Sequence, residues 1–239
     1  MQKIIRQKLS LEPKNGYLHY HARRYASLLA SLEQRYEPGQ RVLEIGRSPF
    51  SAMAAEHLGA HVDTLGFGEE HETRHGKHWC FDLNHSTRKK KWRPDLPVYQ
   101  HILFAEVVEH LLAPPASVLQ FIRSLMDDAG WLYLQTPNAA VLHKRLQLLM
   151  GKNPYQELPT DHSNPGHFRE YTRSEMLRFA AQANFVVRDC SYANYFDYRY
   201  SGHVEGRPPR PLFGVINGFY WLCPGGLKPG MMFILQPAR

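Results

Sequence analysis

Between residues 17 and 36, apolar residues return every three to four positions. Leu18, Tyr25, Leu28, Leu29, Leu32 and Tyr36 share one face of a helix. Glu37-Pro38-Gly39 ends it, since proline cannot continue the ladder and glycine releases the chain. The pattern then shortens. Residues 41–46, RVLEIG, are a brief apolar run closing on a glycine, which predicts a buried strand. Ala52-Met53-Ala54-Ala55 predicts a helix, residues 61–65 a second strand and 79–82 a third. Residues 86–95, STRKKKWRPD, read as a basic loop. A fourth strand is predicted at 101–105, a helix at 115–126, and a fifth strand at 131–135 between Gly130 and Thr136-Pro137-Asn138. Helices over 139–150 and 173–183, and strands over 185–192 and 231–236, complete the series.

Strands alternating with helices imply an α/β fold whose sheet is mainly parallel and covered on both faces. Such sheets bind ligands at the carboxyl ends of their strands. The chain reads as a single domain: a helical extension at 1–38, a core at 40–192, a lid or substrate-side insertion at 193–229 and a final strand at 230–239. Segments 151–170 and 197–212, rich in proline, glycine and polar residues, read as loops over the open face.

Composition narrows this picture only in places. The 239 residues, 43% of them hydrophobic and 21% charged, suffice for a core without staples. Cys80, Cys190 and Cys223 form no CxxC, so neither a disulfide framework nor a thiolate zinc site is indicated, and a cytoplasmic setting is expected. The N-terminus has a basic start but no apolar core of signal-peptide length. The longest apolar stretch, 211–222, is broken by Gly214, Asn217 and Gly218 and is too short to span a bilayer. It reads as a core or lid helix, or alternatively as an interfacial anchor for a membrane or a partner. The net charge of 29 − 22 = +7 permits an anionic partner without choosing one. Five of the basic residues, Arg88, Lys89, Lys90, Lys91 and Arg93, crowd the 86–95 loop around Trp92. That loop reads either as a phosphate-holding surface with an indole for base stacking or as a solvated connection.

The glycine turn after Glu44 suits a nucleotide, because a small residue lets the backbone approach and a helix start offers free N–H groups. With VLEIG come FDLN, ILFAEVVEHL, GWLYLQTPN and HFREYT, in that order. This series resembles the class I S-adenosylmethionine-dependent methyltransferases, in particular the branch of ubiquinone-biosynthesis O-methyltransferases and bacterial glycan or metabolite methyltransferases. The resemblance implies a Rossmann-like fold with a seven-stranded sheet, and S-adenosylmethionine as cofactor. It implies that Gly46, Arg47 and Ser48 line the methionine part and that Glu44 organises their loop. Asp82 and Leu83 would stand beside the adenine, and Phe104, Ala105 and Glu106 under the sulfonium. Three positions depart from the family. Its G-x-G-x-G loop is here Gly46-Arg47-Ser48-Pro49-Phe50. Gly66 stands where a ribose-binding acid is usual, with Glu69 and Glu70 just beyond. Gln100 replaces an aspartate.

A hydroxyl acceptor must lose a proton, so a base or a metal is expected near the transferred methyl group. Glu106, Glu109 and His110 have the spacing i, i+3, i+4 and share a side if a helical turn starts at Glu106. They can equally be residues that cap the next turn or only support the cofactor. Downstream, Thr172 with Glu175 forms a capping box that pins the loop His162-Ser-Asn-Pro-Gly-His167. These two segments resemble motifs of the small-RNA 2′-O-methyltransferases, in which two glutamates and two histidines bind a divalent metal. Glu106, Glu109, His110 and His167 stand at the matching positions. Without a metal, His110 and His167 are candidate bases, with Glu109 as a third catalytic residue. Tyr192, Tyr195, Phe196, Tyr198 and Tyr200 suit sugar rings or planar substrates, or pack a lid. The expected activity is O-methylation of a small metabolite or glycan. The alternatives are a metal-dependent RNA ribose 2′-O-methyltransferase and a non-catalytic binding protein of the same fold.

Overall fold

Asn15 opens the first long helix: its side-chain oxygen accepts the Leu18 amide at 2.9 Å. The computed structural model describes residues 3–157, 166–202 and 208–238. The elements are α1 (Lys3–Leu11), α2 (Gly16–Glu33), β1 (Arg41–Ile45), α3 (Phe50–Leu58), β2 (His61–Gly66), β3 (His71–Glu72) and β4 (Lys77–Cys80). They continue with β5 (Tyr99–Ala105), α4 (Pro115–Ser124), β6 (Met126–Pro137), α5 (Leu142–Leu149), α6 (Arg173–Gln182), β7 (Phe185–Ala193), α7 (Gly214–Leu222) and β8 (Gly230–Pro237).

The sheet runs β3-β4-β2-β1-β5-β6-β8-β7. Pairs β4-β2, β2-β1, β1-β5 and β5-β6 are parallel, and β8 lies antiparallel between β6 and β7. The sheet has eight strands rather than the seven expected. The extra one, β3, is a two-residue edge strand, antiparallel to β4 through His71↔His78. So short an edge leaves no periodicity to detect in the sequence.

Alternating side chains divide the core into two layers. Leu43, Ile102, Phe104, Leu132 and Leu134 face α4 and α6, meeting Val118, Ile122 and Met176. Val42, Leu103, Tyr133 and Ile234 face the other way, toward Tyr25, Leu28 and Leu29 of α2 and Phe50 and Met53 of α3. The N-terminal extension is thus part of a core layer; Ile5 of α1 is fully buried in it.

The chain leaves β1 toward β2 on one side and reaches β5 on the other. This reversal of strand order opens a crevice beyond the carboxyl ends of β1 and β5. Residues 46–48 and 105–110 meet there.

The 86–95 segment is not a stacking platform. Trp92 is half-buried, donates Nε1–H to the Ser86 carbonyl at 2.8 Å and meets Phe121 edge-on. Arg93 pairs with Asp95 at 2.6 Å and with Glu70 at 2.7 Å. In the aromatic run after β7, Phe196 stacks on Tyr20 of α2 and Tyr200 on His19, while Phe196 and Tyr198 also line a cavity. Helix α7 is no core helix. Most of its apolar side chains are exposed, and only Asn217 and Tyr220 are buried. Among the described residues, no helix is long and apolar enough to cross a membrane.

Candidate functional site

Gly46 ends β1 with φ +80°, and a Cβ there would stand 2.9 Å from Val107 Cγ2. A side chain is therefore opposed both by backbone conformation and by space. Below the turn, Glu44 is buried and accepts the Ser48 hydroxyl at 2.5 Å, while Ser48 Oγ accepts the Phe50 amide at 3.1 Å. Ser48 thereby links the strand to the start of α3, where the family has a glycine. Burial pushes the Glu44 carboxyl up to about 7. Its Oε2 has no hydrogen-bond partner.

At the end of β5, Glu106 has φ +55°, a left-handed conformation that is strained for a side chain of this kind. The helical turn begins at Val108, not at Glu106: a short 3-10 segment covers Val108–His110. The expected i, i+3, i+4 face therefore does not form, because the left-handed conformation of Glu106 keeps it out of the turn. The cluster is assembled by another route. The Glu109 carbonyl accepts the Phe168 and Arg169 amides at 2.9 and 3.3 Å, which lays the loop before α6 across this turn. The Thr172–Glu175 capping box holds the far end of that loop. His162 and its neighbours through Pro165 lie outside the described residues.

His110 and His167 consequently meet edge-to-face, with ring centroids 4.8 Å apart. His110 donates Nδ1–H to the Gly166 carbonyl at 2.5 Å. His167 Nδ1 lies 3.0 Å from Glu170 Oε1, and the other carboxylate oxygen of Glu170 pairs with Lys144. Ligand atoms of Glu109, His110 and His167 all fall within 4.8 Å of one another. Glu106, the fourth expected ligand, is outside this triplet but close enough that its carboxylate raises Glu109.

Burial sets the charge states here. It lowers His110 and raises Glu106, while Glu109 is lifted well above its usual value by burial and then by the Glu106 charge. Burial alone would also raise Glu170, but the His167 hydrogen bond and the Lys144 cation hold it low. Glu106 Oε1 and Glu109 Oε1 are buried without hydrogen-bond partners.

A cavity of about 590 Å³ joins these parts. Gly46, Arg47, Ser48, Ala105, Glu106, Glu109, His110 and His167 line it. Glu44 sits beneath the loop, and Phe104 and Leu83 are in the core. Asp82 caps a 3-10 turn after β4, accepting the Asn84 amide at 2.9 Å. Asn84 in turn accepts the Leu112 and Ala113 amides, which joins that turn to the segment after β5. Glu70 is engaged with Arg93, and Gln100 accepts the Arg41 amide at 2.9 Å.

Sequence reasoning missed the wall from α2. Tyr20, His21 and Arg24 also line the cavity, and Arg24 is buried. The signal was present: Arg24 falls three residues after His21 and four before Leu28, on the inward side of an amphipathic helix, where a cation needs a reason. His143 and Lys144 of α5 and Glu170 complete the wall.

Solved structures share this architecture at low identity. A SAM-dependent methyltransferase from Archaeoglobus fulgidus is 14% identical, with 89% of this chain and 94% of that one covered and a TM-score of 0.53. The 1,6-didemethyltoxoflavin-N1-methyltransferase of Burkholderia thailandensis, solved with S-adenosylhomocysteine, is 15% identical, covering 99% and 88% with a TM-score of 0.55. The CcbJ methyltransferase from Streptomyces caelestis is 13% identical, covering 92% and 90% with a TM-score of 0.56. At these identities the likeness concerns the fold. Among the curated proteins none matches. A family model for the methyltransferase domain matches residues 17–189, more than two thirds of the chain, and with the crevice at β1 and β5 built as described, the chain belongs to that family.

Proposed function

We propose that this methyltransferase moves a methyl group from S-adenosylmethionine to a hydroxyl of a small metabolite or glycan. The single observation that carries the choice of a hydroxyl is the His110 geometry. Its Nδ1–H is committed to the Gly166 carbonyl, which fixes the tautomer and leaves Nε2 with a lone pair. Burial lowers the pKa of the ring, which favours its neutral form. A neutral imidazole on the cavity wall is equipped to take a hydroxyl proton.

The residues present fit the cofactor. Gly46, Arg47 and Ser48 line the cavity at the carboxyl end of β1, and Glu106 and Glu109, which line it too, each keep a buried oxygen without a hydrogen-bond partner for a ligand to engage. Gly46, Arg47 and Ser48 would hold its methionine part, with Glu44 steadying the loop from below. When bound, the cofactor supplies an already activated methyl group. The chain's own residues then have to place the acceptor and remove its proton. Positioning of this kind is worth roughly 7–11 kcal/mol. His110 takes the proton, and His167, oriented by Glu170 and Lys144, holds the acceptor oxygen from the second side. Tyr20 and Phe196 close the cavity against water.

A second reading is favoured by the Glu109-His110-His167 triplet. Two imidazoles and a carboxylate suit Mn²⁺, Fe²⁺, Co²⁺ or Zn²⁺ better than Mg²⁺, and such an ion would take over the activation of the hydroxyl, as in a ribose 2′-O-methyltransferase. The packed indole of Trp92 weighs against RNA as acceptor.

Calorimetry with S-adenosylhomocysteine tests the cofactor site. Label transfer from S-adenosylmethionine to panels of sugars, phenols, amines and RNA, with and without chelator, tests the acceptor. Transfer to hydroxyl compounds that survives chelation and disappears in His110→Ala supports the first reading. Transfer to RNA 3′ ends that chelation stops supports the second. Transfer to amines alone, or full activity in His110→Ala, refutes both.

A further inference from the structure

Helix α7 is built inside out for a protein in water. Its polar residue faces the protein: Asn217 donates to Asp197 at 2.8 Å and accepts the Asn194 side chain and the Tyr198 amide at 3.2 Å. Tyr220, the other buried residue, meets His143 Nδ1 of α5 at 2.7 Å. The outward side chains are apolar. Val215, Phe219 and Leu222 follow at i, i+4 and i+7, and Leu212, Trp221 and Leu222 are 84%, 77% and 76% exposed. Helix α5, linked to α7 by the His143–Tyr220 hydrogen bond, likewise exposes Leu146 and Leu149, with Met150 just past its end. An exposed apolar helix face of this kind marks a site of contact.

The surrounding charge selects the occupant. A groove of about 640 Å³ beside α7 is lined by Arg23, Arg199 and Lys228 together with Trp221. Arg199 pairs with Asp197. Among the described residues, Arg23, Arg145, Lys152, Arg210 and Lys228 have no carboxylate within 4.0 Å. A second copy docked by the same face would bring these cations together, which opposes a dimer. An anionic bilayer complements them. Nine residues give α7 a length of about 14 Å, too short to cross a membrane and suited to lying in its interface, with Trp221 at headgroup depth.

We propose that α7, supported by α5, is an interfacial helix that docks this protein on anionic lipid surfaces, with the Arg23–Lys228 groove receiving headgroup phosphates. The site wall is adjacent, since His143 both lines the catalytic cavity and holds Tyr220.

The test is flotation of the full chain with vesicles of phosphatidylcholine mixed with phosphatidylglycerol, against vesicles of phosphatidylcholine alone. The protein is expected to float with the mixed vesicles, more weakly as salt rises, and with a blue shift in tryptophan emission. Trp221→Ser with Leu222→Ser should lower the partition at least roughly tenfold. Arg23→Gln with Lys228→Gln should lower it roughly fivefold per charge on anionic vesicles only. Both pairs should keep the wild-type thermal shift with S-adenosylhomocysteine, which shows them folded and tests the cofactor site separately. Absence of flotation overturns the proposal. So do equal binding to both vesicles, wild-type partition in the Trp221/Leu222 pair, or a lipid-free dimer that this pair dissociates.

Discussion

Glu44→Gln isolates the electrostatic cost of the cofactor loop. The wild-type carboxyl is buried and its pKa is pushed from 4.5 up to about 7. Each pKa unit corresponds to about 1.4 kcal/mol, so the shift is worth about 3 kcal/mol. The sign follows from proton uptake. Between the two values the folded protein holds a proton that the unfolded chain has released, so stability falls as pH rises through this window. Below 4.5 both states are protonated and the penalty is absent; above about 7 it is fully present. Glutamine accepts the Ser48 hydroxyl as the carboxyl does but carries no charge. Urea denaturation of both proteins without ligand, from about pH 5 to about pH 8, should show the variant gaining on wild type by about 2–3 kcal/mol, then levelling off. The difference between the two proteins matters, because Glu106 and Glu109 add the same trend to both. A stability difference that stays flat across this range, or that grows in favour of wild type, would refute the reasoning.

Other substitutions probe the rest of the site. Gly46→Ala meets both the left-handed backbone and Val107, and should cost about 1–2 kcal/mol and weaken S-adenosylhomocysteine in calorimetry. Adding Val107→Ala should restore only the part due to contact, so full restoration would show that φ is unimportant. Glu170→Gln leaves Lys144 buried beside a neutral group and should cost about 3 kcal/mol in chemical denaturation. That gap should close as the pH falls below the usual carboxylate value of 4.5, because Glu170 is held low in the folded state. His110→Ala should abolish methyl transfer and leave S-adenosylhomocysteine affinity within a few-fold; parallel loss of both would make His110 structural. Equilibrium dialysis with Mn²⁺ or Zn²⁺ should show one ion retained if the triplet is a metal site, and none in His167→Ala.

The order of strands and helices is legible in the residues alone, because each layer must alternate apolar and polar positions at the period of its own element. So are the Gly46 turn and the capping box at Thr172, where the chemistry is local: a residue without Cβ, and a hydroxyl three residues before a carboxylate. His110 and His167 are paired in the sequence only through a resemblance to known motifs. What brings those rings together physically is the Glu109 carbonyl accepting two amides of the later loop, a bond between backbones that leaves no mark in residue type. The same holds for Glu106, whose left-handed turn moves it out of the expected helical face. Packing in three dimensions was needed to tuck Trp92 away and to leave the apolar residues of α7 pointing outward. In each case the residue's meaning depends on which neighbour covers it, and periodicity gives a helix its two faces without saying which one the fold will bury.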